Sequence, residues 1–278
     1  VAVTGTAGGV GEALEAAVDA LAAAGVETAR LDAELMLGEA TGWDRAALAA
    51  DPARGVPAAA ARSFGEMVRR RLRREPVAYI LGRRGFRSIE LAVDGRVLVP
   101  RPETELLVEL ALELGPQTVL DVGTGSGALA LAIAAELPGC EVTATDTSTA
   151  ALDVAGANAE ALGLSSRVRF LPGSIPDGEF DLVVANLPYV AESEWPSLQP
   201  EITDWEPREA LLAGPDGLDA IRAFLSDLDG KGARAVALEV GAGQADAVAS
   251  MLGEAGFGAV ERRRDLAGIE RVVWGRRG

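Results

Sequence analysis

The segment Asn186-Leu187-Pro188-Tyr189 carries the residue types best suited to bond-making chemistry. It follows Phe180–Ala185, an apolar run of the kind that forms a buried parallel strand. The carboxyl ends of such strands border the ligand crevice of an open α/β sheet. The Asn186 side chain offers one carbonyl acceptor, and the Leu187 main chain offers a second. Two such acceptors can take both hydrogens of an NH₂ group and fix its plane, against which Tyr189 can stack. A planar nitrogen is a poor nucleophile because its lone pair is delocalised, so alignment must lower the barrier. That suits a chain with no histidine, which has neither an imidazole base nor a histidine metal ligand, and no metal site is expected. Taken alone, the tetrapeptide is equally an Asx-Pro turn closing a strand.

A second cluster, Asp121-Val122-Gly123-Thr124-Gly125-Ser126-Gly127, joins the strand-like Thr118–Val122 to a helical stretch, Ala128–Glu136. Glycines at a strand-to-helix turn let the backbone close on a ligand and present helix N-terminal amides to it. Asp146, at the end of the next strand, can accept hydrogen bonds from both hydroxyls of a ribose. A tight turn and a helix-capping aspartate explain each feature singly but not their joint spacing, which predicts an adenosine cofactor. A dinucleotide site commonly reads Gly-x-Gly-x-x-Gly, whereas here the glycines alternate strictly. The spacing alone leaves nicotinamide and S-adenosylmethionine both open.

The elements that must hold these residues fall into three stretches. Residues 1–76 read as a small helical domain: Val10, Leu14, Ala17, Val18 and Leu21 recur at helical spacing, Leu31, Leu35 and Leu37 continue the pattern, and Ala58–Arg74 forms a long helix ended by Glu75-Pro76. Residues 77–100, with Tyr79, Ile80, Phe86, Ile89, Leu91, Val93, Val97 and Val99, suggest short strands turning at Gly85 and Asp94-Gly95, a hairpin linker. In residues 101–278, strand candidates at Thr118–Val122, Glu141–Thr145, Val168–Leu171, Phe180–Ala185, Ala233–Val240, Ala259–Arg264 and Glu270–Trp274 alternate with helical stretches such as Ala150–Leu162. That pattern predicts a doubly wound α/β sheet.

Composition narrows the partners. The net charge of −16 opposes broad contact with a phosphate backbone. The run Arg69, Arg70, Arg71, Arg73 and Arg74 reads first as a solvated helix face, and otherwise as contact with an acidic partner or RNA. A single cysteine, Cys140, fits a reducing cytosol, and no apolar run reaches the length of a membrane span. Without a basic leader or secretory signal, the expected location is cytoplasmic.

Several segments resemble one family, the protein-(glutamine-N5) methyltransferases that modify peptide chain release factors. They are Arg30-Leu-Asp-Ala-Glu-Leu-Met-Leu37, Glu75-Pro-Val-Ala-Tyr-Ile-Leu-Gly82, Val99-Pro-Arg-Pro-Glu-Thr-Glu105, the glycine loop, Asn186–Tyr189 and Trp205-Glu-Pro-Arg-Glu-Ala-Leu211. The resemblance covers nearly the whole chain. It implies a class I methyltransferase fold, Rossmann-like with a seven-stranded mostly parallel sheet, and S-adenosylmethionine bound by Asp121, Gly123, Thr124, Gly125, Ser126, Gly127 and Asp146. The implied partner is a class 1 release factor, docked on the helical domain. The glutamine of its Gly-Gly-Gln loop would be held by Asn186, Leu187, Pro188 and Tyr189, with Asn186, Pro188 and Tyr189 catalytic and Asn186 also touching cofactor. The family usually reads Asn-Pro-Pro-Tyr; Leu187 keeps the main-chain carbonyl and gains an N–H. Where the family often has an acidic residue near adenine, this chain has Pro172-Gly173-Ser174-Ile175, with Ser174 as a polar contact and Ile175 as an apolar wall. Membrane partners are not expected and nucleic acid is disfavoured. A ribosomal-protein glutamine, or the N6 of adenine in DNA or RNA, remains an alternative target.

Overall fold

The computed structural model describes residues 6–277, which divide into two compact units. One comprises the described residues through Gly82 together with Gln199–Trp205; the other comprises Arg83–Leu198 and the described residues from Glu206 onward.

The first unit is helical, built from Val10–Ala23, Ala29–Thr41, Arg45–Ala50, Ala58–Leu72 and Val77–Leu81. Its core gathers Leu14, Leu21, Met36, Leu37, Phe64, Met67 and Ile80. The helix Ala29–Thr41 buries Ala33, Met36 and Leu37 but leaves Leu31 and Leu35, one turn apart, exposed. Tyr79 and Ile80 do not extend into a strand. Pro76 sets the entry to a helical turn and Gly82, at φ +71°, closes it in the left-handed region that a side chain would resist.

The basic run corrects the solvated-face expectation. Phe64, Met67 and Arg71 share the inward face of Ala58–Leu72, so Arg71 is carried into the core. Its Nε donates to Asp32 Oδ2 at 2.7 Å and its Nη2 lies 2.7 Å from Glu201 Oε1. Arg74 makes a two-pronged pair with the same Glu201, at 2.8 and 2.5 Å, and Arg70 does the same with Glu75, at 2.9 and 2.6 Å. Arg69 and Arg73 stay exposed.

The second unit is organised on a seven-stranded sheet: β1 (Thr118–Val122), β2 (Glu141–Asp146), β3 (Val168–Pro172), β4 (Leu182–Ala185), β5 (Ala235–Glu239), β6 (Gly258–Arg264) and β7 (Glu270–Arg276). Its strand order is β6-β7-β5-β4-β1-β2-β3. The pairs β1 to β5 make with one another are parallel, while β7 runs antiparallel to both β5 and β6. The order reverses at β1, so the crevice between β1 and β4 is the switch point where open α/β sheets bind ligands. The strand expected over Phe180–Ala185 is broken at Asp181, whose Oδ2 accepts the Gln117 and Thr118 amides. The helix Ala128–Glu136 is buried on nearly all sides and has one apolar cluster around it, including Leu129, Leu131 and Ile133. A second cluster, with Val183, Ile221, Phe224 and Val248, fills the other face.

The hairpin is Arg83–Phe86 with Ile89–Ala92. It turns after Phe86, with Arg87 at φ +52°, and Gly85 lies within its first strand. Phe86 and Leu91 are buried in the first apolar cluster. Cys140 is buried beside that core, and burial pushes its thiol up to about 11, which leaves little reactive thiolate.

Candidate active site

At the carboxyl ends of β1, β2 and β4 lies a cavity of about 370 Å³, within the usual range for a small-molecule site. Its wall includes Gly123, Gly125, Asp146, Asn186, Leu187 and Pro188. Two sequence clusters separated by two helices and three strands of the sheet thus share one chamber.

The loop Gly123–Gly127 is held from beneath. Both the Gly123 and Thr124 amides donate to the Thr145 carbonyl at 2.9 Å, and Thr124 Oγ1 donates to Asp121 Oδ2 at 2.7 Å. Asp121 is fully buried, and burial pushes its carboxyl up to about 7 against the hydrogen bonds from Thr124 and Ala130. It therefore shapes the loop from below the cavity wall. Thr124 and Ser126 are also buried, and the Ser126 carbonyl accepts Asn158 Nδ2 at 2.9 Å. Gly127 needs its φ of +86°, and a Cβ there would meet Leu131 Cδ1 at 2.8 Å. At Gly125, φ +57°, a Cβ would meet nothing within 4 Å among the described residues and would intrude on the chamber instead.

Asp146 stands against that loop at the cavity wall. Its Oδ2 accepts the Gly125 amide at 2.9 Å and its Oδ1 accepts the Ser148 amide at 2.8 Å. Each carboxylate oxygen retains a free acceptor site, as a ribose diol requires. The glycine cradle and this carboxylate fit the adenosine half of S-adenosylmethionine. Ser174 and Gly173 line the cavity beside them. Ile175 does not; it is partly buried against the second apolar cluster, as Leu187 also is. Asp146→Ala is expected to weaken cofactor binding by about 1–3 kcal/mol, the scale of hydrogen bonds to a charged acceptor. Titration calorimetry on a variant shown to be folded would measure it, and unchanged affinity would remove Asp146 from the ribose site.

The Asn186–Tyr189 segment is fixed by residues that the sequence pattern does not single out. Asn186 Nδ2 donates to Thr104 Oγ1 at 3.0 Å, which leaves Asn186 Oδ1 free to accept. The Tyr189 hydroxyl donates to Glu239 Oε1, a long bond at 3.4 Å, and burial pushes the phenol above its ordinary range. The Tyr189 carbonyl accepts Gln244 Nε2 at 2.9 Å, while Gln244 Oε1 accepts the Gly241 amide at 2.8 Å. A Cβ on Gly217 would stand 2.3 Å from the Tyr189 carbonyl, so this backbone approach requires glycine. Glu206 takes the Val99 amide at 3.2 Å and Arg101 Nη2 at 2.5 Å, anchoring the segment that carries Thr104. Glu206 thereby ties residues 99–105 to a segment more than 100 residues later in the chain. Among the described residues no group of three or more potential ligands could hold a metal ion.

Comparisons with known proteins agree with this geometry. Residues 12–82 match the model of the PrmC N-terminal domain, and residues 119–205 match that of a methyltransferase domain. The release factor glutamine methyltransferase of Caulobacter vibrioides is 40% identical over 274 residues, spanning 95% of this chain and 95% of that protein. That of Rhodopirellula baltica is 42% identical over 279 residues, spanning 94% and 93%. Among solved structures, the hMettl16 catalytic domain in complex with a MAT2A 3'UTR hairpin superposes with a TM-score of 0.55 at 16% identity. The match covers 67% of this chain and 75% of that one, a likeness of fold.

Proposed function

Since this chain belongs to the family of release factor glutamine methyltransferases, we infer that it transfers the methyl group of S-adenosylmethionine to the side-chain amide nitrogen of a release-factor glutamine. The observation that carries the reading is the free Oδ1 of Asn186 on the wall of the cavity that also holds Asp146 and the glycine loop. S-adenosylmethionine, when bound, supplies an electrophilic methyl group on a sulfonium centre. Asn186 Oδ1 and the Leu187 carbonyl accept the two amide hydrogens and set the plane of the NH₂ group. Pro188 restricts the backbone that follows the Leu187 carbonyl, and Tyr189 covers the amide plane. As the nitrogen lone pair leaves conjugation and positive charge grows on its hydrogens, both acceptors bind more strongly than in the ground state, which lowers the barrier. The extra proton then passes to water.

The target we propose within the release factor is the glutamine of its Gly-Gly-Gln loop, with the helical unit as the docking surface. The exposed pair Leu31 and Leu35 gives that unit an apolar foothold. Among the described residues no helix is long and apolar enough to cross a membrane. We propose a cytoplasmic reaction with no nucleic-acid substrate; the net charge of −16 and the internal pairing of Arg70, Arg71 and Arg74 support this.

The test is to incubate the chain with labelled S-adenosylmethionine and purified class 1 release factor, and to locate the label by mass spectrometry. One methyl group on the loop glutamine is expected. Tight DNA or RNA binding at physiological salt, falling steeply with added salt and accompanied by methyl transfer to adenine, would move the assignment to nucleic acid.

A further inference from the structure

Behind the Asn186–Tyr189 segment lies a carboxylate that no step above uses. Glu239 closes β5, is 1% exposed, and among the described residues its Oε2 has no hydrogen-bond partner. Its Oε1 accepts the Tyr189 hydroxyl at 3.4 Å. Burial pushes the carboxyl up to about 7, against the pull of a side-chain hydrogen bond from Thr104. Thr104, itself 4% exposed, is in turn the acceptor for Asn186 Nδ2.

While Glu239 is ionised, and so only an acceptor, the donor and acceptor count has one consistent solution. A hydroxyl has a single hydrogen. With that hydrogen committed to Glu239, Thr104 can offer Asn186 only lone pairs, and only the NH₂ end of the Asn186 amide can meet them. The amide carbonyl is then forced to face the cavity. The two ends of an asparagine amide are nearly equal in size, so packing alone would not choose between them.

We propose that Glu239 and Thr104 are positioning residues that lock the side-chain amide of Asn186 with its carbonyl toward the substrate, and so make the site select an NH₂ group over an oxygen acceptor. The idea rests on the glutamine-methylation reading given above. It adds a source of specificity. With Asn186 turned over, the site would present N–H to the substrate, repelling the glutamine NH₂ and welcoming a glutamate carboxylate. The same Glu239 also receives Tyr189, so one buried group sets both the acceptor and the ring that covers the amide plane.

The test compares Thr104→Val, which keeps the shape but loses the hydroxyl, with Thr104→Ser, which keeps the hydroxyl. Both are assayed as full chains with S-adenosylmethionine and release factor. For Thr104→Val we expect kcat to fall about 10–100-fold, as when an outer partner of a working ligand is removed. KM for release factor should be nearly unchanged, and Thr104→Ser should restore most of kcat. Release factor with glutamate at the target position serves as a competitive inhibitor. Its inhibition constant relative to KM should drop for Thr104→Val, because the lost lock admits the turned-over amide. Loss of fold would lower cofactor binding and thermal stability in both variants and would not produce a serine rescue. A Thr104→Val enzyme with wild-type kcat and wild-type preference overturns the proposal, and so does a Thr104→Ser enzyme as impaired as Thr104→Val. If the unaltered chain transfers no methyl group to release factor, the functional reading falls and this one falls with it.

Discussion

Asn186→Ala is expected to lose roughly 10²–10³-fold in turnover, by analogy with removing one well-placed polar contact at a reacting centre. Alanine keeps the strand end and the Leu187 carbonyl but deletes the side-chain acceptor, so one of the two amide hydrogens goes unheld and the nitrogen plane can rotate. The variant also strands the Thr104 hydroxyl, which loses the donor that reaches it at 3.0 Å. Because Asn186 lines the same cavity as Asp146 and the glycine loop, S-adenosylmethionine binding must be measured beside turnover, at saturating cofactor and release factor. Leu187→Pro makes the contrasting case. Proline retains the carbonyl and the Leu187 side chain only partly packs on the apolar cluster, so a mild effect is expected. Near-normal turnover by folded Asn186→Ala would sink the mechanism, even if the chain still methylated its target.

The largest stability effect is expected at Arg71→Met in the helical unit. The Arg71 side chain is 5% exposed, with Asp32 at 7% and Glu201 at 12%. Methionine fills much of the space but leaves Asp32 a buried charge without its partner, and Glu201 with Arg74 alone. Removing one member of a buried ion-paired set costs about 3–5 kcal/mol. Chemical denaturation should show a lowered midpoint, while Arg69→Ala, at an exposed site, should stay within about 0.5 kcal/mol of the parent. Adding Asp32→Leu to Arg71→Met should recover part of the loss, since the stranded charge is the main cost. Burial works against ionisation of Glu201, yet hydrogen bonds from Arg74 and Arg71 hold its carboxyl below the ordinary range. Its contribution is therefore present above the ordinary carboxylate range and fades as pH falls through the lowered value. A loss under about 1 kcal/mol for Arg71→Met would show that water reaches these charges.

What the sequence disclosed depended on how local each signal was. The glycine loop and Asp146 follow successive strands, so short-range pattern was enough to bring them to one crevice. Asn186–Tyr189 needed only the rule that ligands gather at strand ends. Thr104, Glu206, Glu239 and Gln244 act across the sheet, and their meeting depends on which strands are neighbours. One signal was still available: Glu239 is a carboxylate closing an otherwise apolar buried strand, Ala235–Glu239, a position where charge is costly unless it is partnered. The basic run hides its buried member for a similar reason. Counting arginines suggested a solvated face, whereas the period of Phe64, Met67 and Arg71 assigns the last of them to the core. Tyr79 and Ile80 suggested a strand, but the Pro76 and Gly82 that bracket them favour a single helical turn.

The helical unit is not continuous in sequence, because Gln199–Trp205 returns to it with Glu201. On a ribosome the chain emerges from its N-terminus, so Arg74 is made 127 residues before the carboxylate that neutralises it. At a synthesis rate of about 5–20 residues per second, that interval is roughly 6–25 s. Through it, Arg71 has Asp32 and the Glu75 carbonyl, and Arg74 has only the carbonyls of Ala24 and Gly25. The unit translated first is therefore among the last to finish folding, and its completion reports that β1 to β4 have already been made.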